Sequence, residues 1–279
     1  MNSPYINDLL WLMEGHFIES DIDLSLYWKE GWEEDFQILS TAPESLEQVV
    51  RSCKSHFLGC YFEVLFSFAI RHFSTLTVLL EHVQISEQGK TLGEVDMLVE
   101  TPEGELLQFE IAIKFYLERP DLYPDHWIGP NKNDSLRQKV SRARSHQLTI
   151  FDTDCAKTQC QNVIKDRPIK TCLLIYGRLY LSLNNSSNVA ERIENTQFGG
   201  WVYASKAEKL FSDFPCVMLA EKPHWLSLQN FTRSCSLSTT EWIENLKIDS
   251  RPKYLCLWQK SKGAPSKPAY SIFVVPDAW

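Results

Sequence analysis

The segment from Gly93 to Lys114 constrains the fold most. It reads G-E-V-D-M-L-V-E-T-P-E-G-E-L-L-Q-F-E-I-A-I-K, two alternating runs about the turn Thr101-Pro102-Glu103-Gly104. Successive side chains of a strand point to opposite faces. In the second run Phe109, Ile111, Ile113 and Phe115 share one face, and Gln108, Glu110, Ala112 and Lys114 the other. In the first run Val95, Met97 and Val99 lie on one face, and Glu94, Asp96, Leu98 and Glu100 on the other. Antiparallel partners have residue numbers of constant sum. A turn centred on Glu103 therefore places Asp96 directly opposite Glu110, and a turn centred half a residue earlier breaks that pairing. Opposed like charges destabilise a strand pair. A hard cation between them removes the repulsion. A half-exposed hairpin with solvated acids and a lysine on Glu110 removes it as well.

The flanking segments extend this hairpin. Thr75 to Ile85, rich in Val, Leu and Thr, reads as a strand, and Gln88-Gly89-Lys90 as a turn. Upstream, Pro43-Glu44-Ser45 opens a helical pattern from Leu46 to His72. Glu63 lies on that helix, with His56, Gly59, Cys60, Phe66, Ser67 and Ile70 at helical spacing. An acid on so apolar a face needs a partner, either a metal centre or a lysine or arginine from the core. Residues 5–14 read as a short helix and 15–43 as mostly irregular. Downstream, 118–133 reads as a loop, Asp134 to Leu148 as a helix, 152–168 as loop and Thr171 to Leu183 as a strand. Short strands are expected at Trp201 to Ala204, Cys216 to Leu219, Tyr254 to Trp258 and Ile272 to Val275. Glu241 to Leu246 reads as helix and 260–268 as a flexible loop. No linker is long and polar enough to divide the chain, so one domain over 1–279 is expected, with a core at 45–182 and an elaboration at 184–279.

Composition excludes several classes. The chain has 279 residues with 44% hydrophobic and 23% charged, an ordinary globular balance. It carries no uncharged apolar run of membrane-spanning length and no secretory leader pattern, which points to a cytoplasmic protein away from membranes. The eight Cys form no C-x-x-C and read as small buried hydrophobes. The phosphate-loop, dinucleotide, zincin and nucleophile-elbow motifs are all missing.

The net charge of −8 argues against a general nucleic-acid coat. Within it, Lys132, Arg137, Lys139, Arg142 and Arg144 stand against one acid, Asp134, over thirteen residues. Such a run makes phosphate contacts that position nucleic acid without reading sequence, or forms a solvated helix face. His146 and Gln147 follow near the helix end.

Three motifs, Gly59-x-x-x-Glu63, Gly93-Glu94-Val95-Asp96 and Glu110-Ile-Ala-Ile-Lys114, resemble those of the PD-(D/E)xK nuclease superfamily. More narrowly, the chain resembles a bacterial domain-of-unknown-function family assigned to that superfamily, through D-L-L-W-L-M, F-E-I-A-I-K-F-Y-L, W-I-G-P-N, H-Q-L and F-V-V-P-D-x-W. The resemblance implies an α/β, restriction-endonuclease-like core of helix, three-stranded meander, helix and strand, with a C-terminal α+β elaboration. It implies a nuclease that hydrolyses phosphodiester bonds in DNA or RNA with Mg²⁺ or Mn²⁺. Asp96, Glu110 and the Ile111 backbone carbonyl are the implied metal ligands, with Glu63 direct or through water. Lys114 is the implied catalytic lysine, and Gln138, His146 and Gln147 are accessory positions. Two positions depart from the pattern: Val95 replaces the Pro, and Ala112 stands where the lysine belongs. Lys114 is two residues further, about 6.6 Å along the strand. The other function open to such a chain is a nuclease-like module without catalysis that binds nucleic acid or a partner protein.

Overall fold

The computed structural model describes residues 3–53, 55, 57–184, 199–211, 214, 216–231, 237–238, 251–258 and 270–279. The fold is mixed α/β. By internal contacts the chain forms two compact units, 1–113 with 137–177 and 114–136 with 178–279. These limits differ from the expected 45–182 core: the N-terminal helices join the first unit, and 114–136 joins the second.

In the first unit, strands β2 (Thr77–Glu87), β3 (Lys90–Glu100), β4 (Leu106–Glu118) and β6 (Ile169–Ser182) lie in the order β2-β3-β4-β6. The short β1 (Phe17–Ser20) is antiparallel to β6. The meander follows from its turns. Gln88 and Gly89 both take positive φ, 49° and 79°, the geometry that matches strand twist in a tight hairpin. Gly104 (φ 86°) closes the second turn.

Helices α1 (Pro4–Met13), α3 (Glu44–Arg51) and α4 (Leu58–Phe73) precede the meander. Helix α4 buries Tyr61, Phe62, Leu65, Phe66, Ala69, Ile70 and Phe73, a stripe at three- and four-residue spacing. Each large side chain so buried is worth about 1.5–3 kcal/mol. Buried Asp8 of α1 accepts a hydrogen bond from the Tyr61 hydroxyl at 2.8 Å. The single helix expected from Leu46 to His72 is in fact two. The Ser52 hydroxyl donates to Val49 O, Cys53 Sγ to Ser55 O, and the Phe57 amide to Ser55 Oγ. Side chains that satisfy local backbone groups compete with helical hydrogen bonds, and here they end α3. His56 lies outside the described residues.

Two further segments expected to be irregular are helical. Helix α2 (Trp32–Thr41) starts at Gly31 (φ 75°) and carries Glu33, Glu34 and Asp35 in its first turn, where acids complement the helix dipole. Helix α6 (Asp154–Ile164) is capped by Thr153, whose hydroxyl accepts from the Ala156 amide. It buries Ala156, Cys160 and Ile164 against Ile85, Val95, Leu98 and Leu106. Between them α5 (Leu136–Arg142) runs into a π turn, Ala143–Gln147, closed by the Leu148 amide on Ala143 O at 2.9 Å.

In the second unit the order is β6-β7-β11-β10-β8-β9, with β7 at Gly199–Tyr203, β8 at Cys216–Leu219, β9 at Leu237–Ser238, β10 at Lys253–Trp258 and β11 at Tyr270–Val275. The core there includes Val202, Val217, Leu255, Leu257, Ile272 and Val274. The four short strands expected in this half are present within a residue or two. The expected helix 241–246 and loop 260–268 lie outside the described residues. Among the described residues no helix is long and apolar enough to cross a membrane.

The W-I-G-P-N string closes a tight structure. Strand β5 (Trp127–Ile128) pairs with β4, and Gly129 donates its amide to Asp134 O at 2.9 Å. Asp134 Oδ2 accepts from Lys114 Nζ at 2.6 Å. A Cβ on Gly129 would overlap Asp134 Oδ1, and both ends of Asp134 are tied. Gly129→Ala is therefore expected to destabilise the protein by about 1–3 kcal/mol. Thermal melting checks this; a parent-like midpoint would mean Asp134 moves freely.

Candidate functional site

The β3–β4 register is the predicted one: Met97 faces Phe109, Leu98 faces Gln108 and Val99 faces Leu107. Asp96 thus falls opposite Glu110, one step beyond the last ladder pair. There the Asp96 carboxylate takes over from the ladder, with Oδ2 accepting the Ile111 amide at 2.9 Å. On the other edge of β3, Glu81 pairs with Met97 and Val83 with Val95, so His82 falls opposite Asp96. His82 has φ 51°, a left-handed value uncommon outside glycine. Both ladders of β3 open at Asp96.

Four acids and two bases gather at this opening. Glu110 is only 2% exposed, and the Lys139 ammonium of α5 donates to its Oε1 at 2.7 Å. Glu63 is half-buried, and burial raises its carboxyl above the usual range, with Asp96 and Glu94 adding to the rise and His82 and Lys139 opposing it. His82 Nδ1 lies 3.3 Å from Glu94 Oε1. Burial also raises Asp96, against the Ile111 amide that holds its charged form. Glu110 is pushed up to about 7, first by burial and then by the Asp96 charge, with Lys139 opposing. Asp96 lies close enough to Glu110 for its charge to raise the Glu110 carboxyl, so the two disfavour joint ionisation.

The resemblance makes Lys114 the catalytic lysine, on the Glu110 face of its strand, and the basic run gives Lys139 to phosphate contacts. Lys114 Nζ is held by Asp134, while Lys139, half-buried, is the cation on Glu110. The π turn completes the arrangement. In an unbroken α-helix His146, seven residues after Lys139, would share its face. The π turn adds one residue, and Gln147 takes that place with Oε1 3.5 Å from Lys139 Nζ. His146 is exposed, and so is Gln138. Buried Gln108 fastens the turn, its Nε2 donating to Gln147 O at 3.1 Å.

The remaining basic residues separate. Arg137 and Arg142 are exposed and meet no carboxylate among the described residues. Arg144 is occupied, forked onto Asp21 at 2.8 and 3.0 Å and touching Glu19 at 3.2 Å. Lys132, in the second unit, lies 5.5 Å from the Trp279 ring centroid and donates to Ala278 O.

Among the described residues no three His, Cys, Asp or Glu side chains converge closely enough to hold a metal ion. Glu63 therefore does not join Asp96 and Glu110 in a ready-made three-ligand site. The donor set is two carboxylates that repel one another, Glu110 buried and Asp96 half-buried. That set fits a hard divalent cation, which commonly takes one or two carboxylates and completes its shell with water or phosphate oxygen.

Comparison with curated proteins and with solved structures finds no match. A family model matches residues 20–275, nearly the whole chain, and the protein therefore belongs to the family described as Domain of unknown function (DUF1853).

Proposed function

We propose that this chain is a metal-dependent phosphodiesterase acting on nucleic acid, with Asp96, Glu110 and Lys139 at its centre. The observation that carries the reading is the close Asp96–Glu110 carboxylate pair, Glu110 buried and Asp96 half-buried, placed where both ladders of β3 open. The element order around it, α4, a three-stranded meander, α5 and α6, then β6, supports a restriction-endonuclease-like core.

Asp96 and Glu110 are the residues that would hold Mg²⁺ or Mn²⁺. Such an ion supplies Lewis acidity toward the phosphodiester and a water deprotonated near neutral pH. The chain's own groups do the rest. The Ile111 amide positions the Asp96 carboxylate and favours its ionised form against burial. Lys139 offsets the charge of Glu110 at rest and of phosphate oxygens during reaction. Gln147 and Gln108 hold Lys139 in place. Glu63, its carboxyl raised by burial, stands beside the pair.

Exposed Arg137 and Arg142 supply cations for backbone phosphates. Replacing both by Ala is expected to weaken nucleic-acid binding and flatten its salt dependence, by about 0.7–0.9 in log–log slope for each phosphate no longer neutralised. Titrations across a salt series check this, and a parental slope removes α5 from the footprint.

One observation favours the rival reading of a binding module without catalysis. Lys139 already neutralises Glu110, as a cation in the site would. Cleavage of end-labelled DNA and RNA in Mn²⁺, with Asp96→Asn alongside, separates the two.

A further inference from the structure

Lys139 occupies an oxygen that a metal ion on Glu110 would use. Its Nζ lies 2.7 Å from Glu110 Oε1, and the Glu110 side chain is only 3% exposed. Two cations on one enclosed carboxylate repel strongly, because solvent and salt screen buried charges little. The ammonium also serves the whole opening: its charge favours the ionised forms of Glu63, Asp96 and Glu110 alike.

The ammonium has somewhere else to go. Gln147 Oε1 lies 3.5 Å from the same Nζ, at the outer limit of a hydrogen bond. Lysine carries its charge on a flexible four-carbon stem, and the Lys139 side chain keeps 16% of its surface exposed. A change of rotamer can take the ammonium from Glu110 toward Gln147 or solvent while the backbone of α5 stays in place.

Charge counting gives this exchange a direction. Ionised Asp96 and Glu110 carry two negative charges, and Lys139 cancels one of them. A divalent ion cancels both and leaves the ammonium in surplus. A phosphodiester, with a single negative charge, then balances the ammonium. We propose that Lys139 is an internal stand-in for the divalent cation, held on Glu110 until metal displaces it and so freed for a substrate phosphate. This rests on the metal-dependent hydrolase reading and adds regulation of that site. Without metal, the site is closed by its own lysine and the cation that the phosphate needs is withheld. Loss of Lys139 therefore tightens metal binding while it slows cleavage.

The test uses full-length protein and Mn²⁺ alone at about pH 8, above the Glu110 range. The free-ion signal of Mn²⁺ in electron paramagnetic resonance gives the bound fraction. Lys139→Met is expected to bind Mn²⁺ at least about tenfold more tightly than the parent, and Lys139→Gln likewise should the first not fold. Arg142→Met removes the same charge from an exposed position of α5 and is expected to change the affinity less than about threefold. Nitrogen-15 NMR of the lysine ammonium groups of the parent reads the displacement itself. The Lys139 signal, assigned through its own side-chain carbons, should shift on saturation with Mg²⁺. Equal or weaker Mn²⁺ binding by a folded Lys139 variant, equal tightening in Arg142→Met, or a Lys139 signal that Mg²⁺ leaves unmoved overturns the stand-in and leaves the metal centre. Saturable Mn²⁺ binding that Asp96→Asn does not weaken, or none by any of these proteins, overturns the metal centre and the stand-in with it.

Discussion

Replacing Lys139 by Met is expected to slow nucleic-acid cleavage at least about a hundredfold, the scale of losing one preorganised charge stabiliser. The same variant should lose stability in a pH-dependent way. Removing one partner of a buried ion pair costs about 3–5 kcal/mol when the other must stay charged. Glu110, with its carboxyl near 7, escapes that cost at low pH by taking up a proton. The loss should therefore be large at pH 8.5 and small at pH 5.5. Lys114→Met, which uncovers a partly exposed Asp134, should cost less than about 1 kcal/mol and leave turnover near parental. Urea unfolding at the two pH values and single-turnover cleavage check both variants. Equal losses at both pH values, or cleavage that depends on Lys114 and not Lys139, would return the catalytic role to the strand lysine.

The parent should lose stability as pH rises from about 4.5 to about 7 through Glu110. The sign follows from proton binding. The folded carboxyl sits near 7 against an ordinary 4.5, so in that window the folded state holds a proton that the unfolded state has released. Stability falls with pH wherever the native state binds more protons, here by on the order of 3 kcal/mol across the window. Asp96, also raised, acts in the same direction. Asp21, lowered by Arg144, and Glu81, lowered by the Ser67 hydroxyl and then Arg71, act oppositely, so the informative quantity is variant minus parent. Glu110→Gln keeps an acceptor for Lys139 and removes the titration. It should remove most of this pH slope and be the more stable protein at pH 8. Matching slopes in the two proteins would mean that Glu110 is ionised throughout.

What could be read in advance divides by the range of the interaction. The Asp96–Glu110 pairing is local: strict alternation and a Pro-Glu-Gly turn set the register, and a one-residue slip would have turned the Phe109 face outward. The His82 position was not readable that way. A plain count from the Gln88-Gly89 turn puts Val95 opposite His82, and a bulge between Ile85 and Ser86 shifts the pairing by one, to Asp96. The partner of Glu110 was hidden for a different reason. Lys114 shares the strand face by parity, while Lys139 arrives from a helix twenty-nine residues away through tertiary packing. Its place beside Gln147 depends on a π turn that no residue of A-R-S-H-Q announces. Helices α2 and α6 escaped because their buried faces are too sparse or small to mark a period: Phe36 alone in one, Ala156, Cys160 and Ile164 in the other.

Cleavage by Asp96→Asn bears most directly on the proposed centre. The Asn side-chain oxygen can still accept the Ile111 amide, and one of two repelling charges is gone, so the fold should be at least as stable as the parent's without metal. Labelled single-stranded DNA and RNA are incubated with each protein in Mn²⁺ and in chelator. A metal centre at Asp96 and Glu110 predicts cleavage by the parent in Mn²⁺ only, and a loss of at least about a hundredfold in a folded Asp96→Asn protein. Cleavage that survives Asp96→Asn, or none by the parent on any of these nucleic acids, would contradict it.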